Sequence, residues 1–424
     1  MATIRIRINT TAARSCLIAL ALLIGGASWA GARWNFANSA SMRADRVDMI
    51  PILTSLGPHD PQTHFTAAVL LDKTFEPEDA AASLAEYKKA AELSPNNYLV
   101  VLALAKAYDR AGDRENANAV FLKARELAPN YSDVKFAYGN FLLRSGENEE
   151  EAFRLIAAAA KSRPEYASSA AILALEAAGQ NVVEARRMLG NAPGARAALA
   201  IYLLTKDRVE DAAELWAGLP PELKTGKLRA DGERLAAKLV EKKHFRLALS
   251  VYNDLKAEPP PALNAVTNGG FESGVSADAA NAFGWKIAAG REPQIALADK
   301  AHSGKVSLYF VFDTKRADAF REIKQTVAVE PGAKYRLSAF YKSELRAAED
   351  VTAHLRVENA DGVVLAKCPS FALNSEWTET GVEFDVPADM PDGIVIKLVR
   401  DDCRSPICPI SGKLWLDDIT LTKE

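Results

Sequence analysis

Three textures of apolar and polar positions follow one another along the chain. The first is an uninterrupted apolar run, Ser15 to Ala32, without a single charge and preceded by Arg5, Arg7 and Arg14. As a helix it reaches about 27 Å, close to the ~30 Å hydrocarbon core of a bilayer. Trp29 and Trp34 stand at its far end, where indoles favour the membrane interface. The small residues of Ser28-Trp29-Ala30 and Ala30-Gly31-Ala32 also form signal-peptidase-like sites. Residues 1–36 are therefore expected to be a signal anchor or a signal peptide. The bulk of the chain is then placed outside the cytoplasmic membrane, either tethered in the cell envelope or secreted after cleavage.

The second texture spans residues 62–257, where Ala and Leu recur at helical spacing between short Gly, Pro or Asn turns. It has a period. Leu93-Ser94-Pro95-Asn96 returns as Leu127-Ala128-Pro129-Asn130, and Gly112 as Gly146, in each case 34 residues later. Tyr87-Lys88-Lys89-Ala90 returns as Phe121-Leu122-Lys123-Ala124 at the same interval. The repeats predicted are 64–97, 98–131 and 132–166, with degenerate helical hairpins beyond 166. A Pro-rich linker, 258–262, then gives way to a third texture in 263–424. Short alternating runs such as Val306–Phe312, Lys334–Lys342, Ile394–Val399 and Leu414–Leu421 are separated by turns like Pro331-Gly332 and Asp361-Gly362. Seven or more strands over this length predict an all-β sandwich or jelly roll. The fold class expected is thus multidomain: an N-terminal membrane helix or signal peptide, an α-solenoid and a C-terminal β-sandwich.

Charge and composition narrow the function. The 52 basic and 55 acidic residues give a net charge of −3, and the C-terminal portion is the more acidic one. No overall basic excess is present to hold nucleic acid. Five histidines and four cysteines are few and scattered. No Gly-x-x-x-x-Gly-Lys phosphate loop, Gly-x-Ser-x-Gly elbow or His-Glu-x-x-His helix occurs. His59 and His64, beside two prolines, read as ordinary loop residues. Asp401-Asp402 and Asp417-Asp418 do not suit paired-carboxylate glycoside hydrolysis, because adjacent strand residues point to opposite faces. The chain is expected to be no enzyme and to require no cofactor. Cys403 and Cys408 bracket a short loop between two strand signals, and a disulfide there fits an exported location. Cys368 would stay free or compete for one of them.

The helical repeat resembles the tetratricopeptide family, whose period is 34 residues. In 98–131, Leu104, Ala105, Tyr108, Ala117, Phe121, Ala124 and Pro129 occupy that family's pattern; Gly139, Leu142, Ala152, Ala159 and Pro164 continue it with one extra residue. The resemblance implies a curved solenoid whose first helices line a groove for a peptide or protein, with Leu102, Lys106, Asp109, Arg110, Phe136, Asn140, Leu143 and Arg144 facing it. The alternative is that these residues are only solvated or covered by the chain itself. Apolar Leu102 departs from the basic clamp of chaperone-binding members.

The C-terminal region resembles the carbohydrate-binding-module (galactose-binding-like) jelly rolls. The phrases that carry this are Asn268-Gly269-Gly270-Phe271-Glu272, Gly284-Trp285, Gln325-Thr326-Val327, Pro331 to Ser338, Glu376-Trp377-Thr378 and Trp415-Leu416-Asp417-Asp418-Ile419. The resemblance implies a structural calcium held by Glu272 with Asp417 or Asp418; the alternative is that these carboxylates cap turns or bond backbone amides. For a sugar platform Tyr309, Phe320 and Tyr341 are the candidates, whereas Trp285, Trp377 and Trp415 are expected in the core. Together the three parts resemble exported bacterial scaffolds that join a protein-binding array to a glycan-type module, in polysaccharide assembly or export. A scaffold without sugar binding, or a targeting subunit of an envelope enzyme, are the alternatives.

Overall fold

The computed structural model describes residues 10–275, 282–315, 320–404 and 407–424. It forms two compact units, Met1–Ala170 with Val183–Ala192, and Ala171–Val182 with Pro193–Glu424.

The first unit opens with α1 (Thr11–Ser41), whose apolar stretch has a mean hydropathy of 1.8 and is long and apolar enough to cross a membrane. The helix does not stop at residue 36. No helix breaker follows, and its last turns have something to pack on: Ala37 and Ser41 are buried. After α2 (Ile50–Leu56) comes α3 (Pro61–Asp72), and both hold the end of α1. Arg33 Nε donates to the Leu56 carbonyl at 2.9 Å, Asn38 Nδ2 to Asp60 at 3.0 Å, and the Ser41 and Thr63 hydroxyls lie 2.9 Å apart.

Antiparallel hairpins follow: α4 (Pro77–Leu93) returns along α3, and α5 (Tyr98–Arg110) pairs with α6 (Arg114–Leu127). Next, α7 (Ser132–Ser145) pairs with α8 (Glu149–Ser162). The start of α7 lies 34 residues after that of α5. The turns repeat with them. Asp113 and Asn148 each accept an amide three residues on and so cap α6 and α8. Gly112 and Gly146 hold φ of +76° and +73°, a left-handed region that favours glycine. Between the helices Ala105, Ala117, Phe121 and Ala124 are fully buried. Gly139 permits close approach, since a Cβ there would sit 2.7 Å from Ile156 and 2.8 Å from the Ala152 carbonyl. The chain continues through α9 (Ala167–Ala177) and α10 (Val182–Met188).

The second unit carries α11 (Pro193–Leu204), α12 (Val209–Ala217), α13 (Pro221–Lys224), α14 (Arg229–Glu241) and α15 (Phe245–Asp254), then an all-antiparallel sandwich. Its strands are β1 (Lys286–Ile287), β2 (Gln294–Ala298), β3 (Ser307–Thr314), β4 (Ile323–Ala328), β5 (Lys334–Ala347), β6 (Ala353–Asn359), β7 (Val364–Lys367), β8 (Asn374–Asp385), β9 (Gly393–Arg400) and β10 (Ile410–Lys423). One sheet has the order β1-β4-β9-β6-β7 and the other β2-β3-β10-β5-β8. Alternation sends Ile323, Val327, Ile394, Ile396, Leu398, Leu355 and Val357 of the first sheet inward against Leu308, Phe310, Phe312, Leu337, Tyr341, Leu414 and Leu416 of the second.

The helical end of this unit is locked to the sandwich rather than hung from it. Asp392, just before β9, accepts the Phe245 amide at 2.8 Å and the Arg246 amide at 3.2 Å, capping α15 from a distant part of the chain. Gly393 leaves room for the Phe245 ring, which a Cβ would meet at 2.3 Å. The Tyr252 hydroxyl takes the Ala282 amide at 3.1 Å. The expected disulfide, Cys403–Cys408, closes the loop between β9 and β10, and buried Arg400 donates to the Cys408 carbonyl at 2.7 Å. Cys368 is free and buried in the core, where burial pushes its thiol up to about 11.

Candidate functional site

In the helical hairpins, Lys106, Asp109 and Arg110 of α5 and Phe136, Asn140 and Arg144 of α7 line one concavity of about 360 Å³. Helical spacing on two successive first helices brings them to one side, and the stacked Phe136 and Tyr166 rings, 4.2 Å apart, form part of its wall. Two expected groove residues are elsewhere. Leu102 is buried in the interhelical core and Leu143 packs partly against it, because both sit on the apolar side of their helices. The arginines are also less available than their positions imply. Arg144 pairs with Asp109, and Arg110 pairs with Asp72 at 2.5 Å, each tying one hairpin to the next. Lys106 has no ion pair among the described residues.

In the sandwich, Glu272, Asp417 and Asp418 do come together, around the loop 299–306. Glu272 Oε1 accepts the Lys305 and Val306 amides at 2.7 and 3.1 Å, which holds its carboxyl below the usual range. Fully buried Asp417 accepts the amides of His302 and Ser303 at one oxygen and that of Asp418 at the other; burial nevertheless pushes its pKa up. Asp418 takes the Ser303 hydroxyl at 2.8 Å and His302 Nδ1 at 2.7 Å. Calcium needs six to eight oxygens that face it. Here N–H and O–H donors already point at these carboxylates, and no group of three or more His, Cys, Asp or Glu among the described residues could hold a metal. The residues present do not fit the ion: they lock the loop to β10.

The expected sugar platform is corrected more sharply. Tyr341 is buried in the core, its ring 4.5 Å from Phe371, and Phe320 packs on Phe312 at 6.0 Å. Only Tyr309 faces out, beside its cross-strand partner Trp415 at 5.1 Å. Of the three tryptophans expected inside, Trp285 and Trp415 are buried, Trp285 in the core between the sheets. Trp415 and Trp377 lie on the outward face of the β5 sheet, where Lys300 sits 4.5 Å over Trp415 and His302 stacks on Phe340 at 3.7 Å. The loop 299–306 thus covers much of this aromatic cluster.

The outward face of the β4–β9–β6 sheet has a different character, and it was not anticipated. Register places Lys286 opposite Lys324, Lys324 opposite Lys397, Lys397 opposite Arg356 and Arg356 opposite Lys367. Five basic residues form one row across five strands. Glu322, Glu358 and Asp401 lie among them: Lys324–Glu322 is 3.1 Å, Lys397–Glu358 2.6 Å, Arg356–Glu358 2.5 Å and Lys367–Asp401 3.2 Å. Lys286 has no ion pair among the described residues, and burial together with Lys324 lowers its pKa. Beside the row His354 is 1% exposed with neither ring nitrogen hydrogen-bonded, and burial depresses its pKa. No single strand reveals this row, because each contributes one member.

Comparison with known proteins bears on this sandwich. Residues 263–401 match a family model described as "Carbohydrate binding domain". No curated protein matches the chain. Among solved structures, one described as "CBM4 structure and function" is 13% identical, with 38% of this chain and 99% of that chain covered at a TM-score of 0.29. A "Family 16 Carbohydrate Binding Module-2" is 20% identical over 37% of this chain and 98% of its own, at 0.26. The CBM22-1 xylan-binding domain of Paenibacillus barcinonensis Xyn10C is 14% identical over 33% and 85%, at 0.24. Residues 263–401 of the C-terminal sandwich are thus a domain of the carbohydrate-binding type.

Proposed function

We propose that the chain is a non-enzymatic, envelope-tethered scaffold whose C-terminal module binds a glycan. The observation that carries this reading is the match of residues 263–401 to a carbohydrate-binding family. The apolar helix α1 and the disulfide Cys403–Cys408 support placement outside the cytoplasmic membrane, with α1 as the tether. The helical hairpins act as a tetratricopeptide-type array that holds an extended peptide of a partner protein. The cavity lined by Lys106, Phe136 and Asn140 supports that half, since it offers a cation, a ring and an amide on one wall. A setting in polysaccharide assembly or export follows from joining the two activities in one chain.

The test is retention of the detergent-solubilised full chain on immobilised bacterial and plant polysaccharides. Binding to at least one polymer is expected. Retention on none leaves the chain as a protein-interaction scaffold without sugar binding. Crosslinking with a Phe136→Ala, Lys106→Ala variant addresses the groove, and an unchanged crosslink pattern counts against it.

A further inference from the structure

We propose that the outward face of the β4–β9–β6 sheet binds an acidic polysaccharide, whose uronate carboxylates lie along the row Lys286, Lys324, Lys397, Arg356 and Lys367. This rests on the glycan reading above and names the chemistry of the ligand. Register is the first argument. The five side chains occupy directly opposed positions on neighbouring strands, so they form a straight line of charge about 19 Å long at a strand spacing of ~4.8 Å. Like charges opposite one another destabilise a sheet, and this sheet places four such pairs in succession. A polymer with one carboxylate per ring relieves that repulsion along its length.

Charge balance is the second argument. Three carboxylates stand against five cations here, although the domain as a whole is acidic. The excess is therefore local to this face. Exposure is the third. Lys324 and Lys367 towards the sides are 44% and 47% exposed, whereas Lys397 and Arg356 at the centre are 18% and 24% exposed. The outer lysines are the ones a ligand reaches, while Glu358 holds the two central cations. The strand positions facing out on this sheet among the described residues include no Phe, Tyr or Trp. Neutral sugars stack on aromatic rings and nucleobases do likewise, so recognition here must be by charge.

The experiment is affinity electrophoresis of the detergent-solubilised full chain in gels containing polygalacturonate, alginate, xylan, galactan or polyuridylate. The variants are Lys286→Gln/Lys324→Gln/Lys367→Gln and the matching triple Lys→Arg, with Lys334→Gln/Lys413→Gln on the other sheet as control. Thermal melts confirm folding. The expected result is retardation by a polyuronate that weakens with added salt, falls roughly tenfold in the Gln triple and survives in the Arg triple and the control. Retardation by xylan or galactan without any by the polyuronates would overturn this inference while leaving the glycan reading intact. So would polyuronate binding unchanged in the Gln triple, or tighter binding to polyuridylate. Retardation by no polysaccharide sinks both readings.

Discussion

One side chain of the sandwich caps α15, and removing it has a calculable cost. Asp392→Ala deletes the carboxylate that accepts the Phe245 and Arg246 amides at 2.8 and 3.2 Å. Loss of a helix N-cap costs about 0.5–2 kcal/mol, and a negative charge at that terminus contributes about 0.3–1 kcal/mol more. Roughly 2 kcal/mol is therefore expected, because α15 has no other side-chain cap. For a unit of more than 150 residues this lowers Tm by about 4–8 °C. Gly393→Ala perturbs the same contact from the other side, since its Cβ would meet the Phe245 ring at 2.3 Å. Overpacking of this kind costs about 1–3 kcal/mol. Lys243→Ala is the control: its pair with Asp361 is solvent-exposed, and such pairs contribute ~0–1 kcal/mol. Urea unfolding followed by tryptophan fluorescence measures all three, and a cycle with Phe245→Ala isolates the coupling of Asp392 to the helix. Losses under ~0.5 kcal/mol for both Asp392→Ala and Gly393→Ala would refute the docking described here.

Further expectations concern the pH response, the carboxylate network, the disulfide and the hairpins. Burial depresses the pKa of His354, which has Asp401, Lys367 and Arg356 around it, so the folded form prefers the neutral ring. Its contribution is fully present above the unfolded value near 6.5 and is lost as pH falls from there towards the depressed folded value. Melting at pH 5.5 should therefore lie below that at pH 7.5, and His354→Leu should flatten the difference; an equal slope in the variant excludes His354 as its source. Chelator or added calcium should leave Tm unchanged, whereas Asp417→Ala, which abandons three part-buried amides, should cost about 1–3 kcal/mol in urea titrations. Cys408→Ser opens a short loop and should cost about 2 kcal/mol, read against the wild type with and without reductant. Gly139→Ala should destabilise the α7–α8 hairpin by about 1–3 kcal/mol, measured by helical circular dichroism during melting.

Much of the architecture was legible before any coordinates. The apolar run from Ser15, the 34-residue recurrence and the alternating runs beyond residue 263 each state a local periodicity, and α1, the α5–α8 hairpins and the β-strands lie where those patterns put them. Cys403 and Cys408 were readable for the same reason, since the loop between them is short and the strands on either side are clear. The matching Gly112 and Gly146, and the capping residues Asp113 and Asn148, act on chain only a few positions away.

What the tertiary structure alone decided is which residues of different elements share a face. Tyr341 and Trp415 are both buried aromatic strand residues, yet one packs between the sheets and the other on the far face of its sheet, under Lys300. The side is set by register, and a shift of one residue reverses it; bulges between Tyr341 and Ser343 and between Asp417 and Thr420 make such shifts. Leu102 and Leu143 left the groove because a helix turns its apolar side towards whichever neighbour packs there. The carboxylates Glu272, Asp417 and Asp418 were read correctly as neighbours, but only the folded chain shows that amides bond Glu272 and Asp417 while the Ser303 hydroxyl and His302 ring bond Asp418. The basic row is the clearest case. Lys286, Lys324, Arg356, Lys367 and Lys397 are far apart in sequence and unremarkable one by one, and strand order and register make them a line. Local periodicity belongs to the sequence by itself; a surface assembled from five strands belongs to their pairing.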